Sequence, residues 1–102
     1  MGIRTETDGK TVTAYIIGEI DHHNAPSLRK AIDEEIEKSS ADNLILDFSD
    51  VSFMDSSGIG LVMGRYRLIK SYGGNVTIQN PPATIKKVMR LSGIDKIATL
   101  KG

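Results

Sequence analysis

The stretch from Leu44 to Ile69 constrains the fold more than any other part of the chain, because an apolar strand pattern runs directly into a helix pattern there. Residues 44–48 are nearly all apolar, which is typical of a strand covered on both faces. Further along, apolar residues recur at steps of three and four, which predicts one face of a helix. These residues are Ile59, Val62, Met63, Tyr66 and Ile69.

Short polar residues occupy the junction between the two patterns. Ser56 lies where a helix N-cap is expected, since its hydroxyl can accept from a free backbone N–H of the first turn. The helix dipole is positive at the same end, so a phosphate added to Ser56 would be favourably placed. From the residues alone, a plain N-cap and a phosphorylation site are both open. Asp55 either orients the Ser56 hydroxyl or repels a phosphate there, or it is a turn aspartate bonded to its own backbone.

Three glycines follow within the first turns of the predicted helix, although each costs about 1 kcal/mol relative to alanine. They are Gly58, Gly60 and Gly64. Their presence indicates a surface that a ligand or another backbone approaches closely, or tight packing of the helix on a strand. They do not form a phosphate-binding loop, because no Lys-Ser/Thr pair follows at the required spacing.

The remaining segments predict a hairpin followed by three helix-to-strand units. Asp8-Gly9 is the signal for a tight turn between two strands. Asn24 is the expected cap of a first helix, and Gly93 the expected end of a third. This order predicts an α/β fold with a mostly parallel sheet, an antiparallel N-terminal edge strand and three to four helices. Besides residues 44–48, the predicted strands lie at residues 3–7, 11–20, 75–79 and 94–100.

Two polar segments follow predicted parallel strands, namely Asp21-His22-His23 and Asp55-Ser56. Functional groups gather at the carboxyl ends of such strands, so the two segments are expected to share one surface. The adjacent histidines lack the spacing and the third ligand of a zinc site, so no metal is expected. A serine hydrolase would need a Gly-x-Ser-x-Gly elbow, which is missing around Ser56.

Composition excludes several functional classes. Lys plus Arg and Asp plus Glu each number 13, and no basic cluster exceeds Lys86-Lys87, so nucleic acid and anionic membranes are not expected partners. Cysteine is absent, which removes disulfides and thiolate chemistry. No signal peptide or apolar run of about 20 residues is present, which predicts a cytoplasmic protein. A length of 102 residues predicts one domain spanning residues 1–102.

The junction also carries a resemblance to a known family. Residues 52–60, continued by residues 62–66, resemble the signature of bacterial anti-sigma factor antagonists, which are small STAS proteins, and most closely the sporulation sigma-F type. Residues 18–23 resemble a second block of the same proteins, and residues 72–74 and 91–93 extend the match. The resemblance implies a STAS-like fold and phosphorylation of Ser56, the first serine of the Asp-Ser-Ser-Gly block.

The resemblance further implies how such a protein acts. The unphosphorylated form binds an anti-sigma factor that is also a serine kinase of the GHKL type, which releases the sigma factor. The kinase phosphorylates Ser56 and a PP2C-type phosphatase restores it, while the protein itself is not an enzyme, uses no cofactor and is a monomer when free. The alternatives are a STAS scaffold of a general stress-signalling complex and a small serine hydrolase. The expected partner-binding residues are Asp21, His22, Asp55, Ser57, Gly58, Ile59, Gly60 and Met63.

Overall fold

A five-stranded mixed sheet forms the framework of the computed structural model, which describes residues 2–102. The first two strands are antiparallel and all other neighbours are parallel, which confirms the predicted α/β fold. The strands lie across the sheet in chain order: β1 (Gly2–Asp8), β2 (Thr11–Ile20), β3 (Asn43–Met54), β4 (Val76–Gln79) and β5 (Thr99–Lys101). The helices between them are α1 (Ala25–Ser39), α2 (Ser56–Ser71) and α3 (Ala83–Ser92).

The strand order determines where the helices lie. Right-handed crossovers that all step in the same direction place their helices on one face of the sheet. Side chains on that face are fully buried, as at Ala14 and Leu46, whereas Ile45 is only partly buried and Ile17 is 44% exposed. The expectation that residues 44–48 are covered on both faces is confirmed only in part, because the second face is buried at Asp47 but only half-buried at Ile45.

The central strand β3 is longer than predicted because it contains two bulges. Its pairing with β2 slips twice, and at each slip β3 contributes one extra residue. The buried positions of its second half are consequently Phe48, Val51 and Met54, three residues apart rather than two. Period-two alternation does not detect such a segment, so the sequence pattern missed residues 49–54.

A buried carboxylate lies beside the first bulge. Asp47 is 5% exposed, and its Oδ1 accepts hydrogen bonds from the backbone N–H of Ser49 at 2.9 Å and from the Ser49 hydroxyl at 2.6 Å. Its Oδ2 accepts from Gln79 at 2.9 Å and from Asn80 at 3.3 Å. Burial raises the pKa of Asp47, but the hydrogen bonds from these three residues outweigh it and leave the pKa below its ordinary value. The ionised carboxylate therefore fastens the bulge to β4.

The C-terminal segment differs from the prediction in one respect. The third helix ends at Gly93, which has a left-handed φ of 83°, as expected for a helix stop. The strand expected over residues 94–100 is reduced to β5, because Ile94–Lys96 form a 3-10 turn. Ile94 is buried by that turn, which keeps α3 attached to the core. The helices contribute to this core Leu28, Ile32, Ile36, Leu61, Val62, Ile69, Ile85 and Met89.

Candidate docking and phosphorylation site

Two loops meet at the carboxyl ends of β2 and β3. Ile20 lies opposite Met54 in the parallel pair, and the backbone N–H of Asp55 donates to the carbonyl oxygen of Ile20 at 3.1 Å. The segments 21–24 and 55–60 therefore lie side by side, and we call them together the junction surface. The prediction that the two polar segments share one surface is confirmed.

Asp55, and not Ser56, is the N-cap of α2. Its backbone is extended, and its Oδ1 accepts from the backbone N–H of Ser57 at 2.7 Å. The predicted cap at Ser56 is wrong because the bulged β3 extends to Met54 and an aspartate already occupies the next position. The interpretation of Asp55 as a carboxylate bonded to its own backbone is confirmed, and its repulsion of a phosphate on Ser56 stays a prediction. Ser56 is the first residue of the helix, and it is exposed.

This placement sets the electrostatics of the Ser56 hydroxyl. A negative charge in the first turn of a helix is favourable by roughly 0.3–1 kcal/mol. Asp55 and Asp21 border the same surface, and they oppose such a charge by like-charge repulsion. A phosphate on Ser56, carrying roughly −1.5 to −2 charges, would thus fit the helix terminus while making the junction surface much more negative.

The loop after β2 is organised by hydrogen bonds between Asp21 and Asn24. The Asp21 carboxylate accepts from the backbone N–H groups of His23 and Asn24, each at 3.0 Å. Asn24 occupies the N-cap position of α1 but does not cap it; its side chain accepts from the Asp21 N–H and donates to the Glu19 carbonyl oxygen at 2.7 Å. The predicted Asn24 cap is therefore wrong in its bonding, because the amide closes the preceding loop instead.

The two histidines project from this loop. His22 and His23 are exposed, and their ring centroids lie 4.0 Å apart. Within residues 2–102, no group of three or more His, Asp or Glu side chains is arranged to hold a metal ion. No helix in this range has the length and apolar character needed to cross a membrane.

The other expected partner-binding residues differ in accessibility. Gly58 is buried, and a Cβ there would lie 2.6 Å from the Met54 Sδ and 3.3 Å from a methyl of Ile20. Tight packing of α2 on β3 therefore accounts for this glycine, and the partner contact expected at Gly58 stays a prediction. Ile59 and Met63 are half-buried and pack against the core.

A groove between α1 and α2 adjoins the junction surface, with a volume of about 270 Å³. Gly60 and Gly64 lie along it, and a Cβ at either position would meet no atom within 4 Å. Residues with polar or charged groups that line it are His22, Arg29, Ser57 and Arg65. Ser57, a predicted contact, thus faces a cavity that the sequence did not predict.

Arg65 is a buried cation that the sequence interpretation missed. It is 7% exposed, and its Nε lies 2.8 Å from Oδ1 of Asp33 on α1, although neither atom has a hydrogen-bond partner. Burial lowers the pKa of Arg65, and the Asp33 charge only partly opposes this. Burial also raises the pKa of Asp33 despite the nearby arginines. The sequence signal was an arginine on the apolar face of α2, four residues before Ile69.

Comparison with known proteins identifies the family. The model of the STAS domain matches residues 2–101. The anti-sigma F factor antagonist of Paenibacillus polymyxa is 38% identical over 82 residues, which cover 78% of this chain and 68% of that protein. The anti-sigma factor antagonist SpoIIAA in its unphosphorylated form matches with a TM-score of 0.85 at 34% identity, covering 97% of this chain and 87% of that one.

A second structure, the Bacillus cell fate determinant SpoIIAA in the phosphorylated form, matches with a TM-score of 0.77 at 34% identity. It covers 97% of this chain and 90% of that one. The matches extend over both loops of the junction surface and confirm the resemblance noted in the sequence. The chain belongs to the STAS domain family.

Proposed function

We propose that this protein is an anti-sigma factor antagonist of the sigma-F type whose binding is controlled by phosphorylation of Ser56. Its relatives of known function carry that name, and one of them has been solved both with and without phosphate. The observation that supports Ser56 as the modified residue is its exposed position in the first turn of α2, beside the Asp21 loop.

In this proposal the protein supplies the acceptor group and the partner supplies the chemistry. The Ser56 oxygen attacks the γ-phosphorus of ATP held by a GHKL-type anti-sigma kinase, the bond to the ADP oxygen breaks, and the serine proton passes to a base of the kinase. A PP2C-type phosphatase reverses the modification by hydrolysis, in which water attacks phosphorus and the serine oxygen leaves. Because the proposed partner controls transcription, we expect phosphorylation and dephosphorylation to take place in the cytoplasm.

The inactivating effect of the phosphate is local. Ser56 is the first helical residue and lies outside the core, so a phosphate needs no backbone movement to be accommodated. It adds charge and bulk to a surface that already carries the carboxylates of Asp21 and Asp55. A partner whose acidic groups come near Ser56 can dock on the unmodified form, whereas the doubly charged phosphate repels those groups and its bulk blocks the contact.

Mass spectrometry after incubation with the cognate anti-sigma kinase and ATP tests the site. We expect one added phosphate on Ser56, no phosphate on Ser56→Ala, and unchanged labelling at Ser56 in the control Ser71→Ala, which changes an exposed serine at the opposite end of α2. Label on another residue of the wild-type protein, with Ser56 unmodified, would overturn the assignment.

Titration calorimetry with the same kinase tests the charge mechanism. Ser56→Asp and Ser56→Asn have nearly the same shape but differ by one negative charge. We expect the aspartate variant to bind at least tenfold more weakly than the asparagine variant. Equal affinities of the two variants would exclude charge as the inactivating feature and leave only bulk.

A further inference from the structure

We propose that the groove between α1 and α2 receives an acidic side chain of the anti-sigma partner. This inference rests on the proposed function, since it extends the same docking surface. The groove opens beside Ser57 and Gly60 of the junction surface, so a partner seated on that surface lies over it.

The size of the groove selects the kind of occupant. Its volume of about 270 Å³ lies below the roughly 300–1,000 Å³ of typical small-molecule sites. It therefore suits one inserted side chain better than a nucleotide. Gly60 and Gly64 leave it open, because a side chain at either position would project into space that no other atom of the protein fills.

The charge of the groove selects an acidic side chain. Among residues 2–102, those that line it include two arginines, Arg29 and Arg65, and no carboxylate. Arg65 is 7% exposed and its Nε forms an ion pair with Oδ1 of Asp33 at 2.8 Å, so the exposed Arg29 supplies the uncompensated positive charge of the groove. A carboxylate inserted into the groove would form a charge-assisted hydrogen bond with the guanidinium of Arg29.

The glycines give an independent reason to expect an occupant. Two glycines in a helix cost about 2 kcal/mol relative to two alanines. At Gly58 the packing against Met54 requires the missing side chain, whereas Gly60 and Gly64 approach nothing within the chain. A loss of helix propensity that no packing inside the protein explains is typical of a functional surface.

The groove also completes the charge pattern of the docking surface. Asp21 and Asp55 present negative charge at the strand ends, and Arg29 presents positive charge at the adjoining groove. A partner must then offer a basic group to the carboxylates and an acidic one to the groove. Such alternation fixes the register of the complex and discriminates against wrong partners.

Filling the groove tests the proposal through shape. Gly64→Leu places an apolar side chain in the groove, and Gly64→Ala is its smaller counterpart. We expect both variants to fold, with the alanine variant at a higher melting temperature. We expect Gly64→Leu to bind the unphosphorylated cognate anti-sigma kinase at least tenfold more weakly in titration calorimetry. Wild-type affinity for Gly64→Leu would overturn the proposal.

Arg29 tests it through charge, because this residue is exposed and its substitution leaves the core intact. We expect Arg29→Gln to weaken binding about tenfold and the matched control Arg29→Lys to retain wild-type affinity. Charge reversal, Arg29→Glu, should be rescued by one Glu→Lys or Asp→Lys substitution in the partner, which would identify the inserted side chain. Unchanged affinity for Arg29→Gln, or rescue by no acidic position of the partner, would contradict the proposal.

These outcomes are separable from the proposed function. If Ser56→Asp abolishes binding while Gly64→Leu and Arg29→Gln bind normally, the antagonist function stands and the groove proposal fails. If the wild-type protein does not bind the kinase, the proposed function itself fails.

Discussion

Gly58 and Gly64 lie on the same helix and should respond in opposite ways to substitution by alanine. Either substitution gains up to about 1 kcal/mol of helix propensity. At Gly64 nothing opposes the gain, because an added Cβ meets no atom within 4 Å. At Gly58 the added Cβ overlaps Met54, and such overpacking costs roughly 1–3 kcal/mol.

The expected difference between the two variants follows from these terms. Gly64→Ala should raise the free energy of unfolding by about 0.8–1 kcal/mol. Gly58→Ala should lower it by up to about 2 kcal/mol, so that the two variants differ by roughly 1–3 kcal/mol. For a domain of this size, 1 kcal/mol corresponds to roughly 4–8 °C in Tm, and the two melting temperatures should be clearly resolved.

Urea denaturation followed by circular dichroism measures both free energies, and thermal melts measure the shifts in Tm. A third variant isolates the cause. In a Met54→Ala background the obstructing side chain is gone, so Gly58→Ala should become neutral or stabilising. If Gly58→Ala stabilises the wild-type protein as much as Gly64→Ala does, then Met54 moves without cost and the packing explanation of Gly58 is wrong.

Three further substitutions test buried polar groups and a close backbone approach. Because its pKa is lowered, Asp47 stabilises the fold above the ordinary carboxyl pKa of 3.8, and this contribution is lost as pH falls through the lower folded pKa. Asp47→Asn should cost about 1–3 kcal/mol at pH 7 and remove that part of the acid sensitivity measured in urea melts between pH 2 and 7. Asp33→Ala leaves Arg65 buried without its counter-ion and should lower the free energy of unfolding by about 1–3 kcal/mol. The double variant Asp33→Leu with Arg65→Met should lower it less. An equal or larger loss in the double variant would show that the charge pair is itself stabilising. Gly74→Ala should lower the free energy of unfolding by about 3 kcal/mol or more, since its Cβ would overlap the Asp42 carbonyl oxygen. Gly73→Ala should lower it by about 1–2 kcal/mol, because only a left-handed φ of 80° is strained there. Similar melting temperatures for the two variants would exclude the overlap at Gly74.

The elements with regular periodicity could be predicted from the sequence. The second strand over Thr11–Ile20 and the helix stop at Gly93 are observed where the local signals placed them, and the hairpin turn lies at Gly9-Lys10, one residue later than the predicted Asp8-Gly9. Each of these depends on chemistry within a few residues, such as a turn dipeptide or a left-handed glycine. The sharing of one surface by Asp21 and Asp55 could also be predicted, because parallel strands end at the same edge of a sheet.

Features that depend on tertiary pairing could not be predicted in the same way. The bulges of β3 arise from its register against β2, and they moved the helix cap from Ser56 to Asp55. The open face of the sheet follows from strand order, which the pattern of residues 44–48 does not encode. Arg65 and Asp47 break apolar patterns, and only the fold reveals that their charges are buried and what contacts them.

The bulges also give a structural basis for the proposed control of binding by a phosphate on Ser56 without a change of fold. Regular alternation from Phe48 would turn Asp50 and Ser52 towards the helices, whereas the two extra residues leave these exposed and turn Val51 into the core. Asp47 stabilises the first bulge from within, and Met54 receives Gly58 at the second. Ser56 thereby begins its helix outside the core, where the charge of a phosphate meets the helix terminus and a docking partner rather than buried groups. The packing that holds α2 on the sheet begins at Gly58 and continues through Leu61, Val62 and Ile69, so a charge added at the exposed Ser56 would leave that packing unchanged.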